Sequence, residues 1–310
     1  MTEKFVIGTR GSALALWQAH AVEDAIRAAL PDVLTEIRVI STTGDQVLDK
    51  PLEKIGDKGL FTKELESALL AGEVDLCVHS MKDMPTQLPE GCVISAMLPR
   101  ADVRDVLVCG PRIAGAGSLA EVPEGARLGT GSTRRTAQLR ALFPQVEPTP
   151  IRGNVDTRLE KANGDDYEGV VLAAAGVTRM GAAERIAAYI PVEQMVPAVG
   201  QGAVGVEVRA GDERVARLCA AIDDAATSAC VSEERKVLAA LEGGCQAPIG
   251  VYARLEGGHP VFDAIVCALD GSRFARVHLD GGCADDVLRE LRAQGADEIL
   301  AANEAMGDAR

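Results

Sequence analysis

Residues 4–12 read Lys4-Phe5-Val6-Ile7-Gly8-Thr9-Arg10-Gly11-Ser12, and Leu14, Trp17, Ala21, Ala25 and Ile26 follow at helical spacing as far as Pro31. A short apolar run that ends in Gly-Thr and opens into a 3.6-residue period is a strand, a turn and a helix. Working outward, the chain predicts a strand over 34–41, a turn-rich segment over 43–59, a helix from Phe61 to Ala71 and a strand from Val74 to Val78. Strands that alternate with helices predict a parallel sheet covered on both faces.

Pro and Gly break the pattern from Pro99 to Pro123. Alternation restarts with a strand at Arg127–Thr130, a helix over 132–143, and strands near 148–151 and 169–173, so a second α/β unit is expected. A punctuated stretch, Pro191 to Gly202, precedes a strand at Val204–Arg209. Helical patterns then lead to Leu241, three β-like runs follow near 249–255, 261–269 and 273–279, and a helix closes over 285–294. This last part reads as a separate α+β domain.

Composition narrows the function. The 310 residues are 47% hydrophobic and 25% charged, which excludes general disorder. With 32 Lys plus Arg against 46 Asp plus Glu, the net charge of −14 argues against nucleic acid as a partner. Charges and turn residues interrupt every apolar run long before it could span a bilayer, and the first residues lack an export pattern, so a cytoplasmic protein is expected. The eight cysteines form no Cys-x-x-Cys pair and no ligand spacing with the four histidines, so no metal site is expected. Cys77, Cys109 and Cys267 read as packing residues in apolar strands.

Polar chemistry collects at the strand ends. These are Gly8-Thr9-Arg10-Gly11-Ser12, His79-Ser80-Met81-Lys82-Asp83, Gly129-Thr130-Gly131-Ser132-Thr133-Arg134-Arg135, Arg152-Gly153-Asn154 through Arg158, and Ala175 through Arg179. In open α/β sheets, ligands bind beyond the carboxyl ends of strands, where helix N-termini attract anions. One such arginine is ordinarily a solvated surface charge, but five basic endings in an acidic protein point to a ligand carrying several carboxylates or phosphates. No P-loop spacing is present, which favours carboxylates. Arginine's planar fork suits them, each well-placed charged hydrogen bond contributing about 1.5–3 kcal/mol.

Within this basic set one acid stands out, Asp83 next to Lys82 at a strand end, and it reads either as a turn cap or as an anion that stabilises transient positive charge. Cys245 in Leu241-Glu242-Gly243-Gly244-Cys245 stands on a glycine hinge, where it reads as a nucleophile or attachment point rather than a core thiol. His79 is equally a structural histidine or a site residue. Phe61, after Lys58-Gly59-Leu60, reads as core or as a cover over a cleft.

Taken together, these strings resemble the porphobilinogen deaminase, or hydroxymethylbilane synthase, family. The likeness adds Lys58 through Glu66, Ile151-Arg152-Gly153-Asn154 with Thr157-Arg158-Leu159, Pro197 through Ala203, and Leu241 through Cys245, and it runs over nearly the entire chain. It implies two periplasmic-binding-protein-like α/β domains with a hinge, plus a smaller C-terminal α+β domain. Domain one would take 1–99 and 200–219, domain two 100–199 and domain three 220–310. The hinges would lie near Pro99–Arg104 and Pro197–Gln201, with the active cleft between the first two domains.

The resemblance further implies a monomeric cytoplasmic transferase of porphyrin, heme and tetrapyrrole biosynthesis. It would join four porphobilinogens head to tail, release ammonia each time, and hydrolyse off linear hydroxymethylbilane. A dipyrromethane cofactor would hang from Cys245 by a thioether. Asp83 would be catalytic, stabilising the cation left by deamination. Lys82, Thr130, Ser132, Arg134 and Arg135 would hold the cofactor carboxylates, and Arg10, Ser12, Gln18, Arg152, Arg158 and Arg179 the incoming substrate. The segment 43–59, with Lys58 and then Phe61, would form a lid. Gly131 and Thr133 depart from the Ser and Leu of many relatives, which removes one hydroxyl and spares both arginines. Two other classes compete with this reading: a non-catalytic polycarboxylate-binding protein, which gives the Cys245 string no purpose, and a cysteine acyltransferase, for which no Cys-His pairing can be named.

Overall fold

A computed structural model describes residues 3–46, 61–242 and 247–308. The expectations placed on Lys58 and Cys245, and on the lid segment from residue 47 to 60, lie outside the described residues. The chain divides into two compact units, Met1–Ala101 with Gly202–Ala229, and Asp102–Gln201 with Cys230–Arg310.

The chain begins with β1 (Lys4–Thr9), α1 (Ala13–Ala29), β2 (Leu34–Val39), a short α2 (Thr43–Gln46), α3 (Lys63–Leu70), β3 (Leu76–Ser80) and β4 (Cys92–Met97). There follow β5 (Asp105–Cys109), β6 (Ala126–Thr130), α4 (Thr133–Leu142), β7 (Val146–Pro150), α5 (Val155–Lys161), β8 (Gly169–Ala173), α6 (Ala174–Arg179) and β9 (Ala188–Ile190). The rest is β10 (Val204–Arg209), α7 (Glu213–Ile222), α8 (Ala225–Ala240), the strands β11 (Ile249–Glu256), β12 (His259–Cys267) and β13 (Phe274–Asp280), and the helices α9 (Ala284–Ala293) and α10 (Ala296–Asp308). Among the described residues no helix is long and apolar enough to cross a membrane.

In the first unit the sheet order is β2-β1-β3-β10-β4. β1 runs parallel to β2 and β3, but β10 runs antiparallel to both its neighbours. The expected all-parallel sheet is therefore corrected to a mixed one, because the chain re-enters this sheet from the opposite end after leaving it for residues 102–201. Phe5, Ile7, Val22, Ile26, Val206 and Leu218 pack one face and Leu65, Leu69, Val74 and Cys77 the other. Burying each large side chain contributes about 1.5–3 kcal/mol.

The buried stripe of α1 is Ala15, Gln18, Ala19, Val22 and Ile26; of the predicted Leu14, Trp17, Ala21, Ala25 and Ile26 face, Ile26 lies on it and the others sit one residue round. Trp17 is 42% exposed. Both stripes have helical spacing, and the true one was hidden because it includes a glutamine.

The second unit holds a sheet of order β7-β6-β8-β5-β9, with β5 antiparallel to β8 and β9, and a separate antiparallel sheet of order β11-β12-β13. β5 lies inside the stretch 99–123 that the sequence marked only as broken. Its apolar run is short, and Gly110-Pro111 follow it immediately. The three-stranded sheet packs against α9 and α10 through Phe262, Val287, Leu291 and Ile299. Its other side meets α4, where Ala137, Val196, Ile265 and Cys267 form one buried cluster. Burial pushes the Cys267 thiol up to about 12, as befits a packing residue.

Candidate active site

In the first unit, two strand ends supply the candidate residues. After β1, the Ser12 hydroxyl caps α1 by accepting from the Ala15 N–H at 3.3 Å. The Arg10 guanidinium lies 4.1 Å from the centroid of the Phe61 ring, a cation–π contact that ties the first strand end to the approach to α3. Gln18 is 3% exposed and donates to Ser80 Oγ at 2.6 Å, strapping α1 to the end of β3.

β3 continues to Ser80, two residues beyond the predicted end, and a single 3-10 turn, Met81–Asp83, follows. His79 is thus a strand residue. It is buried, and its Nε2 lies 3.0 Å from a carboxylate oxygen of Glu207, a residue the sequence did not single out. Lys82 is half-buried and Asp83 is exposed.

In the second unit the sites gather around α4. The Thr130 hydroxyl accepts from the Ser132 N–H at 3.2 Å, and Ser132 caps α4 by accepting from the Arg135 N–H. Arg134 and Arg135, expected at a ligand, are buried at 4% and 5% exposure and converge on the fully buried Asp105. Arg135 donates to Asp105 Oδ1 and to the Val171 carbonyl, while Arg134 donates to the Val196 carbonyl at 2.6 Å and lies 2.8 Å from Asp105 Oδ2. Gln201 donates to the same carboxylate at 2.8 Å. Burial alone would raise the Asp105 pKa, but the two guanidinium groups outweigh it and hold the carboxyl well below the usual carboxylate range. Asp105 and Gln201 were missed. The available signal was an acid opening an otherwise apolar run, Asp105-Val106-Leu107-Val108.

Arg158 donates to the Gly153 carbonyl at 2.8 Å and borders Gly131, where a β-carbon would stand 3.5 Å from its Nη2. The loop 130–132 and α5 are therefore neighbours. Gly153 has φ +115 and abuts Thr157, so the glycine is required there. Arg152 is half-buried, and its carbonyl accepts from Lys161. Arg179 ends α6, and burial pushes it down to about 10.

This donor set fits a carboxylate-bearing group. Two buried cations share one buried anion, and Arg134 Nε has no hydrogen-bond partner among the described residues. An incoming carboxylate would answer both the surplus charge and the idle donor. The first-unit residues are fixed by contacts within the first unit, and these by contacts within the second.

Comparison with known proteins bears on the same residues. Residues 5–217 match the family described as "Porphobilinogen deaminase, dipyromethane cofactor binding domain", and residues 228–288 match "Porphobilinogen deaminase, C-terminal domain". The porphobilinogen deaminase of Moorella thermoacetica is 49% identical over 300 residues, covering 95% of this chain and 95% of its own length. That of Desulforudis audaxviator is 48% identical over 307 residues, covering 97% and 98%, and that of Bordetella parapertussis 46% over 305 residues, covering 96% of each. Among solved structures, the methionine-binding protein MetQ is similar at TM-score 0.44 and 10% identity, covering 75% of this chain and 94% of that one. The aliphatic sulphonate binding protein SsuA of Escherichia coli is similar at TM-score 0.41 and 12% identity, covering 78% and 71%.

Proposed function

This chain belongs to the porphobilinogen deaminase family, and from that premise we propose how its own residues perform the reaction. It is a transferase that polymerises porphobilinogen, with loss of ammonia, into the linear tetrapyrrole hydroxymethylbilane, using a dipyrromethane cofactor. When bound, that cofactor supplies the pyrrole carbon on which the product is built.

Cys245 anchors the cofactor, because a thioether, unlike an ester, survives repeated turnover. Lys82, Thr130, Ser132, Arg134 and Arg135 hold its carboxylates. Arg10, Ser12, Gln18, Arg152, Arg158 and Arg179 serve the acetate and propionate of each incoming porphobilinogen. Ser12 and Gln18 do so largely by fixing the strand ends, since their polar groups already bond Ala15 and Ser80. Asp83 is the catalytic carboxylate. Loss of ammonia leaves a methylene cation on the substrate, and an exposed anion at a strand end stabilises that charge and accepts the proton released on coupling. Lys58 and Phe61 belong to a lid, with Arg10 as the partner of the Phe61 ring. The division into domains at 1–99 with 200–219, 100–199 and 220–310 belongs to the same reading. The protein works as a cytoplasmic monomer without nucleic acid, in keeping with its net charge of −14 and with the free thiols of the described cysteines.

The observation that carries this assignment is the convergence of Arg134 and Arg135 on Asp105, which leaves a buried cationic surplus suited to an acid-bearing ligand. Intact-protein mass tests it. The active protein should weigh its polypeptide plus two linked pyrrole units, and the increment should vanish in Cys245→Ala. Full activity at the bare polypeptide mass would reject the anchor.

A further inference from the structure

Gly205 lies inside the first sheet, on β10, opposite His79 of β3 on one side and Met97 of β4 on the other. A β-carbon built at this position would overlap the Met81 sulfur. Met81 is 1% exposed, so its side chain lies directly on the backbone at 205, in a notch that any larger residue would fill. The requirement is for space, since φ at Gly205 is not positive.

Met81 opens the turn that closes on Asp83. The turn is tied by its backbone as well: the Met81 N–H donates to the Ala203 carbonyl at 3.1 Å, and the Met81 carbonyl accepts from the Met84 N–H at 3.2 Å. Two residues along β10, on the face that position 205 shares, Glu207 meets His79. Ser80 is held by Gln18. Three successive residues are thus each fastened, His79 to Glu207, Ser80 to Gln18 and Met81 to Gly205. Beyond them, Lys82 is half-buried and Asp83 exposed.

We propose that Gly205 and Met81 are positioning residues for the Asp83 carboxylate. The missing side chain at 205 sets how deep Met81 sits, and that depth sets where the following turn presents Asp83. Positioning of this kind has leverage, because a displacement of about 1 Å at a reacting group costs roughly 100-fold in rate. The proposal rests on Asp83 acting in the reaction.

The test uses holoenzyme, with rates normalised to covalently bound pyrrole measured by mass, and compares Gly205→Ala, Met81→Ala, the double variant and Asp83→Asn. Gly205→Ala should lower kcat at least about tenfold, with KM for porphobilinogen within about twofold, because the arginines that hold the substrate are not moved. The double variant should recover most of the lost kcat, since truncating Met81 makes room for the new methyl. Met81→Ala alone should lower kcat several-fold and also serves if Gly205→Ala does not fold. Normal kcat per holoenzyme in Gly205→Ala or Met81→Ala would overturn the proposal, as would a double variant no better than Gly205→Ala. Near-normal turnover in Asp83→Asn would instead remove Asp83 from the reaction, a result separable from the others.

Discussion

Arg135 meets Asp105 with two donors on one oxygen, Nε at 3.1 Å and Nη2 at 2.7 Å from Oδ1. The second oxygen faces Arg134, and Gln201 completes the cluster. All four side chains are buried, so the single carboxylate sets the spacing of two adjacent guanidinium groups and neutralises only one of them. A carboxylate ligand there would complete the balance.

Asp105→Asn should therefore damage both folding and cofactor retention. Removing one partner of a buried ion pair costs about 3–5 kcal/mol, since the cations left behind have lost their countercharge. Urea unfolding would measure the loss, and the fraction of protein carrying bound pyrrole would measure retention. A variant within about 1 kcal/mol of the parent would show that Asp105 does not organise the arginines.

The same pair fixes an acid dependence. Asp105 is held below its usual range in the folded protein, so its contribution is fully present above the unfolded value of about 3.9 and is lost as pH falls toward the folded one. Stability should fall below about pH 4 in the parent, and with a shallower slope in Asp105→Asn. Parallel acid curves for the two proteins would dismiss the linkage.

Much of this was readable from the chain, and the gaps have physical reasons. The turns after β1 and β6 were legible because Gly, Ser and Thr beside Arg after an apolar run signal a turn into a helix. Asp105 was not, because its meaning depends on Arg134, Arg135 and Gln201, which only the fold brings to it. Gln18 was legible as polar and so was left off the buried face, although its bond to Ser80 lets it sit there. The end of β3 was misjudged for a similar reason: His79 stays in the strand because β10, more than a hundred residues later, supplies Glu207 and Gly205 beside it.

Gly131 gives a third expectation. A β-carbon there would stand 2.9 Å from the Ile151 carbonyl oxygen, too close to be kept, and 3.5 Å from Arg158 Nη2, an ordinary contact, so a serine must push the Ile151 carbonyl aside. Gly131→Ser should cost about 1–3 kcal/mol, the usual scale of overpacking, and raise KM for porphobilinogen several-fold as the peptide joining Ile151 to Arg152 shifts. Steady-state kinetics on holoenzyme would check it. An unchanged KM would separate Arg152 from substrate binding.

Glu66 on α3 is 6% exposed and titrates in the opposite sense to Asp105. Burial pushes its pKa up and the charge of Glu207 adds to this, while Thr62 and His79 offset only part. The folded protein therefore holds this proton more tightly than the unfolded chain. The resulting stability is complete below the unfolded value of about 4.3 and is lost as pH rises through the folded one. At neutral pH an ionised Glu66 is a net cost, which glutamine removes while keeping the shape and a hydrogen-bonding amide. Glu66→Gln should be more stable than the parent at neutral pH by about 1 kcal/mol, visible as a Tm higher by roughly 2–4 °C, with the gain shrinking to nothing near pH 4. Thermal melts across that range would decide. A variant less stable at neutral pH would mean that the Glu66 carboxylate is held by His79 more strongly than it is repelled by Glu207.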